Sequence, residues 1–350
     1  MGVYHAGSRA LQDLVGVRER ADHVGRSLGQ DIKPVAAAFL ELQPLLVVGA
    51  AAPETGRVWA SALAGPPGFV RATGPRRMSV VTGGEGAPGG RRDGRSEGAL
   101  GSARPATADA RPATADARPT TADARPATAD ARPATADPGA DDGPDPLGRA
   151  LRTPGSPVGT LALDPRTRRR MRLNGRLAPT ARGFAVEADQ VFSNCPKYIQ
   201  RRAAYETVAG RTPGSPRRLT ELDPPATELI RSADTFFLAT VHPGGADVSH
   251  RGGAPGFVRV VSPRELTWPD YSGNAMFLSL GNLRADSRAG LLLLDWDTGT
   301  TLQLTGEART EFPADGERTV RFTLAEARWT PDALPLRWSP PEYAPAGPGR

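Results

Sequence analysis

The first residues whose spacing suggests chemistry form a glycine-rich run. Gly84, Gly86 and Gly89 match the GxGxxG spacing of dinucleotide-binding loops and follow a predicted strand over residues 78–82. Such a loop binds a pyrophosphate when a helix begins directly after the glycines, because the helix N-terminus supplies backbone donors. Here Pro88 and a Gly/Arg-rich stretch follow. The run is therefore not predicted to bind a dinucleotide.

The four histidines and the single cysteine form no known catalytic or metal-binding motif. His5, His23, His242 and His250 lack metal-ligand spacing, and no metal site is expected. Cys195 is expected to be a small buried residue, because nothing nearby in the sequence would lower the pKa of its thiol. The sequence also lacks a GxSxG elbow and a lysine-bearing P-loop. No motif therefore indicates a serine hydrolase or a nucleoside triphosphatase.

Composition predicts two domains in a reducing compartment. The chain has 350 residues, enough for two ordinary domains. One cysteine excludes an internal disulfide framework, and no apolar run approaches the length of a membrane span, so a cytoplasmic protein that does not bind membranes is expected. Residues 1–30 carry scattered charges and are predicted to be an N-terminal helical segment.

The net charge of +6 comes almost entirely from arginine, because lysine occurs only at Lys33 and Lys197. The planar guanidinium matches phosphate and carboxylate oxygens, so this composition favours anionic ligands. Nucleic acid binding stays open as an alternative. It is disfavoured because the charge is spread along the chain, with one cluster over residues 166–172 that is interpreted as the polar face of a strand and its turn.

Residues 103–137 are five consecutive copies of the unit Ala-Arg-Pro-Ala-Thr-Ala-Asp, varied only at Thr120. Each unit has a proline and no large apolar residue, so neither a long helix nor a packed core is expected. Residues 83–146 are therefore predicted to be a disordered insertion, rich in proline, alanine and arginine.

A second repeat indicates an internal duplication. Residues 61–71 recur as residues 249–259, and residues 158–175 recur as residues 289–306. The two motifs lie farther apart in the first copy, which places the insertion inside a loop of that copy. The predicted domains are barrel copy one over residues 31–82 and 147–192, an inter-barrel segment over 193–222, and barrel copy two over 223–345.

Each copy begins with a predicted helix and a buried strand, at residues 34–42 and 45–49 and again at 225–232 and 236–240. Later segments, including residues 170–173 and 301–304, alternate polar and apolar side chains, which predicts one buried and one solvent-exposed face. Several short strands joined by turns favour a small antiparallel barrel over a parallel α/β sheet. The predicted fold class is mainly β with flanking helices (α+β).

The run from Trp268 to Leu283, together with residues 249–253 and 290–306, resembles the FMN-binding split barrels related to pyridoxamine 5'-phosphate oxidase. Residues 191–200 resemble a signature of the branch in which two barrels are fused in one chain. The resemblance implies two six-stranded barrels with FMN in the groove between them. Its phosphate side would belong to copy two, since copy one has no recognisable counterpart of residues 271–282.

The resemblance implies a site in which backbone donors and a cation bind the FMN phosphate and apolar side chains cover the ring. His250 is the best candidate for a catalytic general acid or base. The cofactor-binding residues that it implies are Ser249, His250, Arg251, Gly252, Tyr271, Ser272, Gly273, Asn274, Phe277, Asn282, Gln303 and Lys197.

The function implied is an FMN-dependent oxidoreductase that transfers hydride between bound flavin and a small substrate, with NADH or NADPH as a candidate electron donor. The chain would be a monomer with pseudo-dimeric barrels or a homodimer. Residues 272–274 depart from the Ser-Arg-Lys type run of pyridoxamine phosphate oxidase itself, so oxidation of that vitamin is not expected. Alternatives are a non-catalytic flavin, deazaflavin or haem carrier, and an arginine-rich nucleic-acid-binding protein.

Overall fold

The computed structural model describes residues 3–82, 145–193, 196–313 and 317–343. The heptapeptide tract, the GxGxxG match and Cys195 lie outside the described residues, so the predictions for them stay predictions. The helices are α1 (Ala6–Leu14), α2 (Arg18–Gly25), α3 (Pro34–Glu41), a 3-10 helix (Ala150–Arg152), α4 (Pro224–Ser232) and α5 (Leu278–Ala285). None of the helices in the described ranges is long and apolar enough to cross a membrane.

The first sheet contains seven antiparallel strands in the order β2-β1-β5-β6-β7-β4-β3. They are β1 (Leu45–Ala51), β2 (Val58–Ala64), β3 (Val70–Gly74), β4 (Arg77–Val81), β5 (Pro157–Asp164), β6 (Arg169–Thr180) and β7 (Gly183–Ser193). Short strands β8 (Arg201–Arg202), β9 (Tyr205–Thr207) and β10 (Arg217–Leu219) follow.

The second sheet has the order β12-β11-β15-β16-β17-β14-β13, with β10 added beside β17. Its strands are β11 (Thr235–His242), β12 (Gly245–Gly252), β13 (Arg259–Ser262), β14 (Glu265–Pro269), β15 (Arg288–Leu294), β16 (Thr301–Glu311) and β17 (Thr319–Thr330). The last strands, β18 (Leu336–Trp338) and β19 (Pro341–Glu342), pair with β9 and β8.

The two sheets therefore repeat one strand order, which confirms the prediction of a mainly β chain with two tandem β units. Each sheet has seven strands along this path, whereas the resemblance implied six. The irregularities repeat as well, because the register shifts at Asn174/Gly175 between β6 and β7 and at Thr305/Gly306 between β16 and β17. The helices predicted before the first strand of each unit are α3 and α4.

Each sheet has its own apolar core, and a third core joins the two sheets. The joining core contains side chains of β1, β2 and β5 from the first sheet and of β11, β12 and β15 from the second. Two corresponding glycines permit the approach, because a Cβ on Gly159 would lie 2.6 Å from backbone atoms of Asp247, and a Cβ on Gly290 would lie 2.7 Å from backbone atoms of Trp59. The sheets thus meet along their backbones, with no room for side chains at these two points.

The prediction of a solvent-exposed polar face on β6 and β16 is wrong. Arg172 and Asn174 on β6 are buried, and so are Gln303 and Thr305 on β16. Both polar faces pack against the opposite sheet, where Asn174 Nδ2 donates to Asp247 Oδ1 at 3.0 Å. An alternating pattern shows that the two faces of a strand differ, but a second sheet can bury the polar face when it supplies hydrogen-bond partners.

Candidate functional site

A cavity of about 310 Å³ lies where the two sheets meet. The first sheet contributes Arg170 and Arg172 on β6, and the second contributes His250 on β12. The connection over residues 270–277 and the first turn of α5 form a further wall, and Arg20 on α2 closes another side. We call the space between these walls the interfacial cavity.

The connection between β14 and α5 turns sharply beside the cavity. Ala275 and Phe277 have φ angles of 65° and 53°, in the left-handed region that costs a non-glycine residue energy. Asn274 Oδ1 accepts a hydrogen bond from Met276 N at 3.1 Å, and the Arg318 guanidinium lies 5.4 Å from the centre of the Phe277 ring. Because α5 begins directly after Phe277, its N-terminal turn lines the interfacial cavity.

The N-terminal helices α1 and α2 form a roof over this wall. Arg20 on α2 donates to the Gly273 carbonyl at 3.3 Å, and Gln12 on α1 donates to the Met276 carbonyl at 2.9 Å. Helix α1 crosses α5 so closely that a Cβ on Gly281 would lie 2.6 Å from backbone atoms of α1. The roof is therefore fitted to α5 and to the connection that precedes it.

Two neutral histidines attach the roof to the second sheet. His5 Nδ1 accepts from Gly7 N at 3.2 Å while its Nε2 pairs with Asn282 Oδ1 at 2.9 Å, and His242 Nδ1 accepts from Gly244 N at 3.1 Å. The two rings stack with centres 4.5 Å apart. Burial lowers the pKa of both histidines, and the nearby His5 ring lowers that of His242 further. A proton on either Nδ1 would break its backbone hydrogen bond.

Positive charge dominates the interfacial cavity. The cationic side chains that line it are Arg20, Arg170, Arg172, Lys197, Arg251 and Arg318. Among the described residues that line the cavity, the one carboxylate is that of Asp270, which accepts from Arg251 at 3.0 Å and from Arg318 at 3.0 Å. One carboxylate shared by two guanidinium groups leaves an excess of positive charge, which attracts anions.

A buried network around Asp247 fixes three walls of the cavity to one another. Arg172 Nη1 on β6 donates to Asp247 Oδ2 on β12 at 3.1 Å, and Ser279 Oγ on α5 donates to the same oxygen at 2.6 Å. Burial lowers the pKa of Arg172, and the Asp247 carboxylate opposes that shift. Both charges are out of water, so each depends on the other.

His250 is a buried, neutral imidazole in the cavity wall. Its Nδ1 lies 2.9 Å from Arg170 Nη1, and because a guanidinium can only donate, the ring proton is on Nε2. Burial, followed by the charges of Arg170, Arg172 and Arg251, lowers the pKa of His250 well below its ordinary value. Nε2 is buried and has no hydrogen-bond partner among the described residues. The cavity wall thus contains a hydrogen-bond donor that is not used within the described part of the chain.

Most of the sequence-predicted site residues meet at the interfacial cavity. The predicted residues that line it are Lys197, His250, Arg251, Gly252, Tyr271, Gly273, Asn274 and Phe277. The Tyr271 ring stacks on that of Tyr198 with centres 5.0 Å apart. These residues come from β12, the inter-barrel segment and the connection before α5, so the structure brings together three separate parts of the sequence.

The other four predicted residues make structural contacts. Ser249 Oγ donates to the Leu238 carbonyl at 3.5 Å, and the Ser272 carbonyl accepts from Tyr198 Oη at 3.4 Å. Asn282 Nδ2 donates to Thr240 Oγ1 at 3.0 Å. Gln303 Nε2 donates to Ser61 Oγ at 2.8 Å, between β16 and the first sheet. None of these four lines the interfacial cavity.

Four of the lining cations are absent from the sequence-predicted set, namely Arg20, Arg170, Arg172 and Arg318. Arg170 reaches His250 across 80 positions of sequence, and Arg20 reaches Gly273 across 253. The alternating pattern on β6 was a usable signal, because it puts Arg170 and Arg172 on one face. No pattern in the sequence indicated that this face would meet β12.

The position that corresponds to the interfacial cavity is formed by β2, β16 and the 3-10 helix. It is occupied by side chains that interact with one another. The strand register equates Arg172 with Gln303 and His250 with Ala62. Gln303 Nε2 donates to Ser61 Oγ, which donates to Asp145 Oδ1 at 2.8 Å. Burial raises the pKa of Asp145, and hydrogen bonds from the Leu147 backbone and Ser61 oppose the shift. We call this group of Ala62, Gln303, Ser61 and Asp145 the closed counterpart.

The protein is thus of the class in which two antiparallel sheets of the same strand order meet at a cationic cavity. Residues 222–345 match a family model described as pyridoxamine 5'-phosphate oxidase. The match covers the second unit, from α4 to the last strand. No curated protein sequence matches the chain.

Several solved structures resemble part of the chain. A candidate pyridoxamine 5'-phosphate oxidase of Lactobacillus delbrueckii is 18% identical and covers 31% of this chain and 94% of its own, with a TM-score of 0.26. An FAD-binding protein of Mycobacterium smegmatis is 13% identical and covers 32% and 98%, with a TM-score of 0.23. HupZ of Group A Streptococcus is 11% identical and covers 29% and 89%, with a TM-score of 0.24.

Proposed function

We propose that this protein binds FMN in the interfacial cavity and acts as a flavin-dependent oxidoreductase on a small substrate. The observation that carries the proposal is the composition of the cavity wall, where six cations meet one carboxylate and a buried imidazole keeps an unused N–H donor. The family match of the second unit supports the choice of a flavin.

The residues present suit the two parts of FMN. Its dianionic phosphate needs cations and backbone donors, which Arg251, Arg318 and the N-terminal turn of α5 supply. Its ring needs apolar cover, for which Phe277 is available. When bound, FMN supplies the redox chemistry, and the protein supplies orientation and electrostatics.

The roof gives the chain a means to limit access to the cavity. Arg20 and Val24 of α2 line it from the side of the N-terminal helices. A cavity that excludes water strengthens the electrostatic interactions inside it. We therefore assign to α1 and α2 the exclusion of water from the bound cofactor and substrate.

An internal duplication is part of the proposal. It is supported by the repeated strand order, the repeated register shifts of β6 and β16, and the paired close approaches at Gly159 and Gly290. A duplicated chain could supply within one molecule the groove that single-barrel relatives would build by dimerisation. A cytoplasmic location, suggested by the single cysteine, also belongs to the proposal.

Reconstitution with FMN tests the binding step. Purified protein incubated with FMN and freed of excess ligand should be yellow, with absorption bands near roughly 375 and 450 nm. The cofactor content per chain, measured after release from the protein, should approach one. A preparation that keeps no flavin under these conditions contradicts the proposal.

Turnover separates an oxidoreductase from a carrier. The FMN-loaded protein should oxidise NADH or NADPH faster than free FMN does, in an assay with oxygen or a dye as the final acceptor. Tight FMN binding without turnover would instead favour the non-catalytic carrier. A colourless protein that binds DNA with an affinity falling steeply with salt would favour the nucleic-acid alternative.

A further inference from the structure

The hydrogen bonds of His250 determine what its ring can do. Arg170 Nη1 donates to Nδ1, so the nitrogen that could accept a proton is already engaged by a cation. A proton added there would bring a positive charge beside Arg170, Arg172 and Arg251. The ring can therefore donate a hydrogen bond from Nε2 but is poorly placed to serve as a general base.

The surroundings of the ring determine what it would donate to. His250 is 5% exposed, and its Nε2 has no partner in the described part of the chain. A buried donor without a partner is costly, and a ligand acceptor relieves that cost. The nearby carboxylates, Asp247 and Asp270, already accept hydrogen bonds from Arg172 and Arg251. The electrostatic field at the ring therefore favours an acceptor that is negatively charged.

We propose that His250 and Arg170 form an oxyanion subsite, in which a neutral imidazole, held by Arg170, donates its Nε2–H to an oxygen of a phosphate or carboxylate group. The inference rests on the proposed function, since it assigns a role to one wall of the same cavity. It replaces general acid or base catalysis by His250 with positioning of an anionic group. The anion has two candidate sources, the phosphate of the cofactor and an acidic group of the substrate.

Sulfate is a suitable probe because its charge does not change near neutral pH. Binding of sulfate is measured by calorimetry in a chloride buffer, first with the FMN-free protein and then with the FMN-loaded protein. The variants are His250→Leu, which removes the donor, His250→Gln, which keeps an N–H donor at a similar distance from the backbone, and Arg170→Gln. Arg169→Gln is the matched control, because Arg169 is an exposed neighbour on β6.

The expected result is a loss of sulfate affinity of about tenfold or more in His250→Leu and Arg170→Gln, the size of a lost hydrogen bond to a charged group. His250→Gln and the Arg169→Gln control should retain affinity close to the original. Nitrogen NMR of the imidazole should show a neutral ring protonated on Nε2 near neutral pH. The affinity should not rise as the pH falls from about 8 to about 6, since no charge appears on His250.

The two forms of the protein distinguish the source of the anion. If sulfate competes with FMN and the FMN-loaded protein no longer binds it, the subsite holds the cofactor phosphate. If the FMN-loaded protein binds sulfate with the same dependence on His250, the subsite serves the substrate. Both outcomes support the subsite.

Two results would overturn the inference. One is equal sulfate affinity in the original protein and in folded His250→Leu and His250→Gln variants. The other is an NMR spectrum in which Nδ1 carries the proton. Failure to bind FMN together with His250-dependent sulfate binding would refute the proposed function and leave the subsite standing.

Discussion

The interfacial cavity and the closed counterpart occupy corresponding positions in two like-ordered sheets, yet the strand register equates different side chains at two positions that define the cavity. The cavity has Arg172 and His250 where the counterpart has Gln303 and Ala62. The eight-residue α5 borders the cavity, whereas a three-residue 3-10 helix stands at the counterpart. One region keeps an unused donor, and the other connects its polar groups to one another.

The difference shows how one strand arrangement can serve either binding or stability. In the closed counterpart, Gln303, Ser61 and Asp145 form a chain of hydrogen bonds across the junction. In the cavity, the junction is held by the charged pair of Arg172 and Asp247, and positive charge remains in excess. Four predictions test this contrast, in order of decreasing expected effect.

The largest effect is expected when the cavity is given the side chain of the counterpart. Arg172→Gln would leave the Asp247 carboxylate buried without its cation, so the free energy of unfolding should fall by about 3 kcal/mol. Urea unfolding of the variant and of the exposed Arg169→Gln control measures the difference. Adding Asp247→Asn should restore part of the loss. Equal stability of Arg172→Gln and the control would show that the pair does not hold the junction.

The next largest effect is expected on FMN binding in the interfacial cavity. Arg251→Ala removes a cation whose register counterpart is Leu63, and it should weaken FMN binding by about 1.5–3 kcal/mol, or roughly ten- to a hundredfold. Quenching of flavin fluorescence on binding gives the affinity. Arg259→Ala removes an exposed charge from β13 and is the matched control. An unchanged affinity in Arg251→Ala would place the phosphate elsewhere.

A smaller effect is expected from the histidines that attach the roof to the cavity side. The lowered pKa values of His5 and His242 mean that the unfolded chain binds protons more readily. Their contribution to stability is therefore complete above the ordinary value of 6.5 and is lost as the pH falls below it towards the folded values.

The variant His5→Asn/His242→Asn keeps an oxygen acceptor near each backbone N–H but cannot titrate. Because the variant lacks the stacked rings, its free energy of unfolding at pH 7.5 should be lower by about 1 kcal/mol. Its stability should fall less between pH 7 and pH 5 than that of the original protein. Thermal unfolding across this range provides the comparison. Parallel pH profiles would exclude the two histidines as the titrating groups.

The smallest effect is expected for residues 83–144, in the connection of the first unit that corresponds to residues 270–277 of the second. Replacing residues 83–144 by a 31-residue Gly/Ser linker should change stability little, since halving a loop is worth only about 0.6 kcal/mol. Extending the replacement through Leu147 is the matched control. It should destabilise the fold, because it removes the Asp145 carboxylate and the fully buried Leu147 side chain. A large loss in the shorter deletion would contradict the predicted insertion.

The repeated architecture could be predicted from the sequence because helices and strands are encoded by local patterns. Helices α3 and α4 follow from short apolar segments after Pro34 and Pro224, and the strands follow from runs such as residues 45–49 and 236–240. The insertion was predicted to end at Pro146, whereas Asp145 and Pro146 belong to the described structure, and Asp145 accepts a hydrogen bond from Ser61. A proline-rich composition alone does not show where chain packing resumes.

The site was predictable only where its residues share one motif. His250, Arg251 and Gly252 lie in a run that the family resemblance covers, and they line the cavity. Arg170 and Arg20 reach the cavity from the first sheet and from the N-terminal helices, and no local pattern encodes which face of the other unit they meet. The contact of Gln303 with the first sheet was unpredictable for the same reason, because a glutamine on a polar strand face can bind a ligand or a neighbouring sheet.

The position of the roof has a consequence for how the molecule matures on the ribosome. His5 and its partner Asn282 are 277 positions apart, and Gln12 meets a carbonyl 264 positions later. Helix α1 must therefore wait until α5 has been made before it can dock. The pocket becomes complete only after that point, so a nascent chain that ends before α5 cannot present a finished binding site.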